Sequence, residues 1–380
     1  MDTELAPSPS SALRPSPSAG SLAALRALAD EAFDHDANSR SANTRRAYDS
    51  DWRQFTAWCE RYEVTPLPVE PALVRLYVTD LASQVKDDGQ PRFRASTIER
   101  HLASIGWHSR RAGGAGDIAR DPLVASVVAG LRRSRAEKPR RQRPILLDTL
   151  TAVITAMEHD TFPNGIGAAR DTLAFGLGFA AALRRSEVSG LTVRDLEPSP
   201  ADGLYVHLGV TKTDQDGLGA LLAVPYGTNP ITCVPCARVR WLRLVTAPGV
   251  ASRTRLLEAT GPAARWQHVC RDSDAHGLGH AIKDAPLLCT VNKGGRLGTG
   301  AVSASALNSS LKKRLVTAGF DPAPYGFHSL RAGFVTQARR NGASTREVRR
   351  QTRHGSDAMV DLYDREHLPL RDNAVTTLGL

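Results

Sequence analysis

One stretch of the chain, "RRSRAEKPRRQR" from Arg132 to Arg143, contains seven basic residues, one acidic residue and a proline. A proline within a run of like charges disfavours a packed element, so we interpret this stretch as part of a linker. A chain of 380 residues is long enough to form two separate cores. We therefore predict two domains, at 38–135 and 147–380, with the linker itself at 136–146.

The segment before the linker has the apolar periodicity of α-helices, in four successive stretches. Ser96 and Glu99 have the spacing of a capping box at the start of the third helix. We predict a compact all-helical domain whose first three helices bury Tyr48, Trp52, Phe55 and Cys59, then Leu73, Leu76, Tyr77 and Leu81, then Ile98, Leu102 and Ile105.

The segment after the linker is predicted to be mainly helical with a little β-structure. A buried apolar helix ends in "LRRSEVSGL", and two further runs, "GLYVHLGV" and "LGALLAVPYG", flank "TKTDQDG". The Asp-Gly pair in that connection is a turn signal, so we predict a β-hairpin there. We interpret "NKGGRLGTG" as a Gly-rich loop. Residues 247–282 are given no predicted role.

Residues 1–37 begin with an acidic, Pro/Ser-rich stretch that is typical of a disordered leader, followed by one short helical pattern. The leader has no apolar segment of the kind found in signal peptides. The most apolar run, Leu173 to Leu183, has eleven residues, whereas a membrane-spanning helix needs about 20. We therefore expect a cytoplasmic protein without a membrane partner.

The net charge of +10 predicts a polyanionic partner, and the linker is where the charge is most concentrated. A solvated hinge is one alternative. A tether to an anionic membrane surface is another, but no amphipathic apolar face accompanies the charges. We favour contact with a phosphate backbone, made by Arg132, Arg133, Arg135, Lys138, Arg140, Arg141 and Arg143.

The five cysteines are scattered and odd in number, which argues against a disulfide framework in a cytosolic chain. Cys233 and Cys236 have the spacing of a metal site, and His268 with Cys270 would complete four zinc ligands. The alternative is that "ITCVPCARVRWLRLV" opens a helix whose apolar face includes small thiols. We favour the alternative and predict no metal site.

The stretch from Phe327 to Glu366 concentrates cations around a single tyrosine, Tyr363. "HSLR" places His328 and Arg331 on one face of a helix, and a second helix, capped by "STRE", leads to His354. Tyrosine is a poor nucleophile unless positive charge or a base supports its anion. Arginine forks can neutralise the non-bridging oxygens of a phosphodiester. The pattern indicates phosphoryl transfer by positioning and electrostatics.

These residues resemble the signature of the tyrosine recombinase, or phage integrase, family. That signature has an arginine in an "LRxSE" context, a lysine on a β-hairpin, an "HxxR" pair, a histidine or tryptophan, and a tyrosine. The corresponding stretches here are "ALRRSEVSGL" with Arg184, "VTKTDQDGLG" with Lys212, "HSLR", "RHGS" and "VDLYDRE". Their order and spacing agree with the family, and the resemblance covers roughly residues 38–370.

The resemblance implies a helical core-binding (SAM-like) domain and an α+β catalytic domain that together clamp double-stranded DNA. Tyr363 would attack the scissile phosphate and form a 3′-phosphotyrosyl link. Arg184 and Arg331 would hold the non-bridging oxygens, with a further hydrogen bond from His354.

The same resemblance implies that Lys212 protonates the leaving 5′-oxygen and that His328 assists proton transfer. Glu187 would orient the active-site residues. Neither a metal nor ATP would be needed, because the phosphotyrosyl bond conserves the energy of the phosphodiester. The partners would be double-stranded DNA and a homotetramer assembled on two DNA sites, in a nucleoid-associated protein.

Two other functions remain open at this point. A relative that binds DNA without cutting it would be free to lose the signature residues, which argues against that function. A type IB topoisomerase would use the same chemistry to relax DNA. Single residues also have structural alternatives, since Lys212 could be a solvated hairpin lysine and Tyr363 a packing aromatic.

Overall fold

The computed structural model describes residues 40–114, 117–135, 141–209, 219–259, 261 and 267–361, with a few isolated positions near the two ends. The chain divides into two compact units, Met1–Pro139 and Arg140–Leu380. The prediction of a disordered leader at 1–37 falls almost entirely outside the described residues. Within the described part of the chain, no helix is both long enough and apolar enough to cross a membrane.

The first unit is helical, as predicted, and packs around one apolar core. The core includes Phe55, Cys59, Tyr77 and Ile98, all of which are buried. Its described helices are α1 (Ala42–Arg61), α2 (Pro71–Ser83), α3 (Ala95–Arg111) and α4 (Pro122–Arg135).

Two details of the first unit differ from the sequence prediction. Leu76 is exposed, while Val74 and Val78 are buried in its place on α2. The capping box at Ser96 is also wrong, because the N-cap of α3 is Arg94, two residues earlier, and it makes no side-chain cap. The apolar stripe of α3, with Leu102 and Ile105, is confirmed.

The second unit surrounds the long buried helix α6 with further helices and two small sheets. The described helices are α5 (Leu147–Thr155), α6 (Asn164–Ala180), α7 (Arg185–Gly190), α8 (Val234–Thr246), α9 (Val250–Ala259), α10 (Ala304–Thr317), α11 (His328–Arg340) and α12 (Thr345–Thr352). The described strands are β1 (Leu196–Ser199), β2 (Gly203–Leu208), β3 (Ala220–Pro225), β4 (Cys289–Val291) and β5 (Leu297–Ala301).

The predicted hairpin is confirmed in its two strands. β2 pairs antiparallel with β3, from Gly203 opposite Pro225 to Leu208 opposite Ala220. β1, which was not predicted, adds a third antiparallel strand on the other side of β2. The connection at 210–218 lies outside the described residues.

The Gly-rich stretch predicted as a loop is instead a second hairpin, formed by β4 and β5. Gly295 occupies its turn with φ +72°, a conformation that glycine adopts without steric cost. The prediction of a loop is therefore confirmed for residues 292–296 and wrong for residues 297–300, which lie in β5.

The stretch with the cysteine pair opens α8, as the preferred interpretation expected, and both thiols are buried. Cys233 precedes α8 rather than lying on its apolar face, and Cys236 lies in the first turn. His268 and Cys270 approach this end of the helix from a distant part of the chain, so that the four ligand atoms lie within 4.8 Å of one another. The geometry is therefore also compatible with the other alternative, a metal site.

Candidate active site

Arg184 lies in the connection between α6 and α7. After α6 ends, Ala182 adopts a left-handed backbone conformation, with φ +49°. The chain then turns, and Arg184 caps the start of α7 in an extended conformation. Its guanidinium donates to Glu187 Oε1 at 2.8 Å, and its backbone N–H donates to Glu187 Oε2 at 2.7 Å. Glu187 therefore fixes both the side chain and the backbone of Arg184, in agreement with the orienting role expected of it.

Glu187 has a second cationic partner, which sequence reasoning missed. Arg353 Nη2 donates to Glu187 Oε2 at 2.8 Å and ties the end of α12 to the start of α7. Burial alone would raise the pKa of the Glu187 carboxyl, but hydrogen bonds and charge from Arg353 and Arg184 outweigh burial and lower it. The carboxylate is ionised at neutral pH.

Arg353 occupies a strained position. Its φ is +58°, a conformation that residues other than glycine rarely adopt. Nε and Nη1 of its buried guanidinium make no hydrogen bond in the structure. Such strain is often found at functional sites. No spacing in the sequence marks Arg353, because its contact with Glu187 arises only from the tertiary fold.

His328 and Arg331 come from the first turn of α11, as predicted. Arg331 is only 1% exposed. Its Nη1 donates to the carbonyl of Ala182 at 2.6 Å, and its Nη2 donates to the carbonyl of Thr352. One guanidinium thus connects the end of α6, the start of α11 and the end of α12.

His354 follows α12, and a hydroxyl orients its ring. Thr352 Oγ1 donates to the carbonyl of Val348 at 2.8 Å and lies 3.1 Å from His354 Nδ1. With its own hydrogen engaged, the hydroxyl accepts from Nδ1–H. This contact assigns the proton of the neutral imidazole to Nδ1 and directs Nε2 away from Thr352.

The electrostatics show that four of the predicted residues come together. Burial and then the charges of Arg331, Arg184, His328 and Arg349 lower the pKa of His354 to about 4. The pKa of His328 is also lowered, first by desolvation and then by the positive charges of Arg331 and Arg184. Part of its side chain remains exposed to solvent. Both imidazoles are therefore neutral at pH 7, beside two permanent cations.

The remaining two predicted catalytic residues, Lys212 and Tyr363, lie outside the described residues. The segments that lead to them are described. β2 ends at Leu208, four positions before the lysine, and the described chain continues to Asp361 before the tyrosine. Gln351 in α12 links the segment that leads to Tyr363 with the hairpin that leads to Lys212. Its side-chain amide donates to the carbonyls of Ala180 at the end of α6 and Ala223 in β3, at 2.9 and 3.2 Å.

The arginines of the basic stretch differ in their surroundings. Arg132 forms an ion pair with Glu99, with Nε 2.6 Å from Oε1. Arg135 is half-buried and donates to the carbonyls of Phe93 and Ala82. Both contacts lie within the helical unit. Lys138 and Arg140 lie outside the described residues, whereas Arg133, Arg141 and Arg143 are exposed.

Comparisons with known proteins find several recombinases to which the chain is similar. No protein-family model matches the chain. An integrase/recombinase XerD homolog from Selenomonas ruminantium is 28% identical over 342 residues, which cover 90% of this chain and 86% of that protein. Tyrosine recombinase XerC from Pelobacter propionicus is 29% identical over 241 residues, 62% of this chain and 68% of its own. The chain is thus similar to curated tyrosine recombinases along most of its length.

A solved structure agrees with the recombinase fold. The Tn1549 transposon integrase, in a complex with transposon right-end DNA, superposes with a TM-score of 0.50 and 15% identity, over 88% of this chain and 92% of the integrase. The names of these relatives support a tyrosine-type site-specific recombinase. Among its described residues, the grouping with metal-ligand geometry is that of Cys233, Cys236, His268 and Cys270, and none of these belongs to the recombinase signature.

Proposed function

We propose that this recombinase cuts and rejoins double-stranded DNA at specific sites through a 3′-phosphotyrosyl intermediate. The convergence of Arg184, Arg331, His328 and His354 carries the proposal, because these residues come from three separate parts of the chain and share one electrostatic environment. Two fixed cations beside two neutral imidazoles suit a phosphodiester, which presents negative charge at its non-bridging oxygens.

In the cleavage step, the phenol oxygen of Tyr363 forms a bond to the scissile phosphorus as the bond from phosphorus to the 5′-oxygen breaks. The phenol proton passes to neutral His328, and the ammonium of Lys212 gives a proton to the leaving 5′-oxygen. The products are a 3′-phosphotyrosine and a free 5′-hydroxyl. Rejoining reverses each bond and each proton transfer with the 5′-hydroxyl of a partner strand.

The cations lower the barrier by stabilising the charge of the transition state. Arg184 and Arg331 hold the non-bridging oxygens, while Glu187 keeps Arg184 in position. A bound phosphate raises the proton affinity of His354 because its charge offsets that of the arginines. His354 then carries protons on both ring nitrogens and donates to the phosphate while keeping its bond to Thr352.

The partners in this proposal are a DNA duplex and three further copies of the chain, which form a tetramer on two DNA sites. Exposed arginines of the basic stretch would contact the backbone phosphates near the site. We keep the cytoplasmic, nucleoid-associated location as part of the proposal. The XerD and XerC relatives, which are named as recombinases, support recombination as the function.

A suicide DNA duplex, nicked so that the 5′-hydroxyl fragment diffuses away, tests the cleavage step. We expect the wild-type chain to form a covalent adduct that survives denaturing electrophoresis, and Tyr363→Phe to form none. Tyr325→Phe is the matched control, since this buried tyrosine beside "HSLR" has no role in the chemistry. No adduct on a bound cognate duplex would instead indicate a protein that binds DNA without cutting it.

A second assay separates recombination from relaxation. Two differently labelled duplexes that carry the same site should exchange strands in the presence of the wild-type chain. Relaxation of supercoiled DNA without any exchange product would indicate a topoisomerase and contradict the proposal.

A further inference from the structure

A cluster of three cysteines and one histidine lies at the N-terminal end of α8, outside the recombinase signature. The sulfur atoms of Cys233 and Cys270 are 4.0 Å apart, and His268 Nδ1 lies 3.3 Å from Cys236 Sγ and 3.9 Å from Cys270 Sγ. All four ligand atoms lie within 4.8 Å of one another. The three cysteines are buried, whereas the edge of His268 faces solvent.

These separations fit one metal ion. In a tetrahedral zinc site with Zn–S bonds of about 2.3 Å and a Zn–N bond of about 2.0 Å, the ligand atoms lie roughly 3.5 to 3.8 Å from one another. From this agreement we infer that Cys233, Cys236, His268 and Cys270 bind a structural zinc ion. Three thiolates and an imidazole are soft ligands that favour zinc over magnesium or calcium.

The orientation of His268 supports this assignment. Its Nε2 lies 3.3 Å from the carbonyl oxygen of Thr228, so Nε2 carries the proton and donates to that carbonyl. Nδ1 then presents its lone pair to the thiols. A second hydrogen bond of this kind, on the ring nitrogen away from the metal, is typical of metal-binding histidines.

The sulfur atoms also have the partners that thiolates need. The backbone N–H of Gly227 donates to Cys233 Sγ at 3.4 Å. A backbone hydrogen bond from Val269 reaches the Cys236 sulfur. Thiolates are the protonation state in which cysteine binds zinc.

Arg240 balances the charge of the site. Three thiolates and one Zn²⁺ leave a net charge of −1, and the charge of Arg240 interacts with all three cysteines. Its guanidinium also donates to the carbonyls of Pro230 and Gln267, at 3.2 and 2.8 Å. Arg240 thus ties together the two loops that supply the ligands.

The placement of the ligands explains a structural role. Cys233 and Cys236 begin α8, whereas His268 and Cys270 follow α9, and Cys233 is separated from Cys270 by 37 positions. The zinc ion would close this long excursion of the chain against the start of α8. Four protein ligands leave no open position for a substrate, which is the pattern of structural rather than catalytic zinc. Residues 247–282, given no role from the sequence, contain two of the ligands.

A disulfide between Cys233 and Cys270 is the main competing arrangement. Their sulfur atoms are 4.0 Å apart, about twice the length of a disulfide bond. A disulfide would also not explain why Cys236 and His268 lie against the same two sulfur atoms.

Metal analysis of the full wild-type chain tests the inference without any substitution. The chain should be purified under reducing conditions without chelator and its zinc measured by atomic emission. We expect about one zinc per chain, and cobalt exchanged into the chain should give the intense visible spectrum of tetrahedral thiolate coordination. A zinc content near zero, together with no cobalt spectrum on reconstitution, would overturn the inference.

Variants then locate the site. Cys236→Ser and Cys270→Ser should each lose most of the bound zinc and the cobalt spectrum. Cys289→Ser is the matched control, because this cysteine is also buried in the second unit but lies outside the cluster. Cys289→Ser should retain full zinc content. Equal zinc contents in all three variants, or a Cys233–Cys270 disulfide in the reduced protein by mass spectrometry, would contradict the site.

Discussion

Arg331 is buried and at the same time expected to hold a phosphate. Its guanidinium donates to the carbonyls of Ala182 and Thr352, so the side chain stabilises the fold before any substrate arrives. Truncation to alanine would leave buried carbonyls without these donors. Arg331→Lys therefore tests catalysis better than Arg331→Ala, because a lysine keeps the charge and part of the hydrogen bonding but loses the planar fork.

The role of Arg353 in positioning Arg184 through Glu187 can be tested separately from its effect on stability. We predict that Arg353→Gly lowers the single-turnover rate of DNA cleavage by about tenfold or more, because Glu187 loses one of its two cations and Arg184 is held less firmly. A loss of about 1.4 kcal/mol in positioning corresponds to a factor of ten. Glycine also relieves the left-handed strain, which offsets part of the lost ion pair in the unfolding free energy.

The control for this prediction is Arg350→Ala. Arg350 lies in the last turn of α12, three positions before Arg353, is exposed and carries the same charge. It should leave the cleavage rate unchanged when the protein is saturating. Equal losses of rate in the two variants would mean that charge, rather than the contact with Glu187, explains the effect.

His354 predicts a dependence of stability on pH. Its pKa in the folded chain is about 4, whereas histidine in an unfolded chain titrates near pH 6.5. The unfolded chain therefore binds more protons than the folded chain between these values, and stability falls as the pH falls from about 6.5 towards 4. His354→Gln should show a smaller fall in melting temperature over this window. A parallel pH dependence in wild type and variant would contradict the assignment.

The sequence identifies single residues when chemistry demands a residue type in a recognisable setting. Arg184, His328, Arg331 and His354 meet this condition, and the structure brings them together. Arg353 and Thr352 do not meet it. Their roles depend on a left-handed backbone and on a hydroxyl that reaches the histidine two positions later, and neither feature has a periodic signature.

At the scale of helices and strands, α11 must pack closely against the chain that enters the second unit. The backbone N–H of Ile145 donates to the carbonyl of Ser329 at 2.9 Å. A methyl group added at Gly333 would overlap the carbonyl oxygen of Ile145. Glycine is thus needed here for close approach and not for an unusual backbone conformation.

We predict that Gly333→Ala destabilises the second unit by about 1–3 kcal/mol, the usual range for overpacking. It should also slow cleavage, since α11 carries His328 and Arg331. Denaturant unfolding and single-turnover cleavage measure the two effects. Gly130→Ala is the control, because Gly130 lies in α4 with no atom close enough to meet a methyl group. A Gly333→Ala variant as stable as Gly130→Ala would contradict the close packing.

Helices and strands were predicted well where apolar side chains recur with a clear period, and poorly where glycines leave no side chains to show a period. The long helices and the β2–β3 hairpin have clear apolar periods, and the structure confirms them. The β4–β5 hairpin was missed because Gly298 and Gly300 in β5 have no side chains to show the period of two. The capping box was misplaced because Ser96 and Glu99 have the correct spacing but lie inside the helix, where Ala95 is the first residue.

At the scale of the whole molecule, the arginines of the basic stretch differ in how far they are exposed to solvent. Arg135 is bound to two backbone carbonyls of the helical unit, whereas Arg141 and Arg143 are exposed at the start of the second unit. The sequence could not separate these arginines, since charge density alone does not show which guanidinium groups are engaged in the fold.

We predict that replacing both Arg141 and Arg143 with glutamine weakens DNA binding equally on cognate and unrelated duplexes. The slope of log affinity against log salt should become shallower by about two, since each phosphate contact contributes about 0.9. Fluorescence anisotropy at several salt concentrations measures this slope. Arg135→Gln is the comparison and should lower the melting temperature of the chain without changing the slope. An unchanged slope in the double variant would remove these two arginines from the DNA interface.

The cysteine cluster also depends on the fold of the whole second unit. "CVPC" is a local pattern, but His268 and Cys270 reach it only through the fold of α8, α9 and the chain between them. Spacing alone therefore left zinc as the weaker alternative, and the inference of a zinc site depends on the tertiary structure.

Gln351 has a consequence for building chimeric recombinases. Its amide joins α12 to the end of α6 and to β3, and both acceptors are backbone carbonyls. Backbone acceptors persist whatever side chains stand at Ala180 and Ala223, provided that the strand register is kept. A hairpin taken from another recombinase could therefore replace residues 203–225 and still find the same anchor. The base of the hairpin would then stay fixed near Ala182, whose carbonyl accepts from Arg331, provided that the donor hairpin keeps a lysine at the position of Lys212.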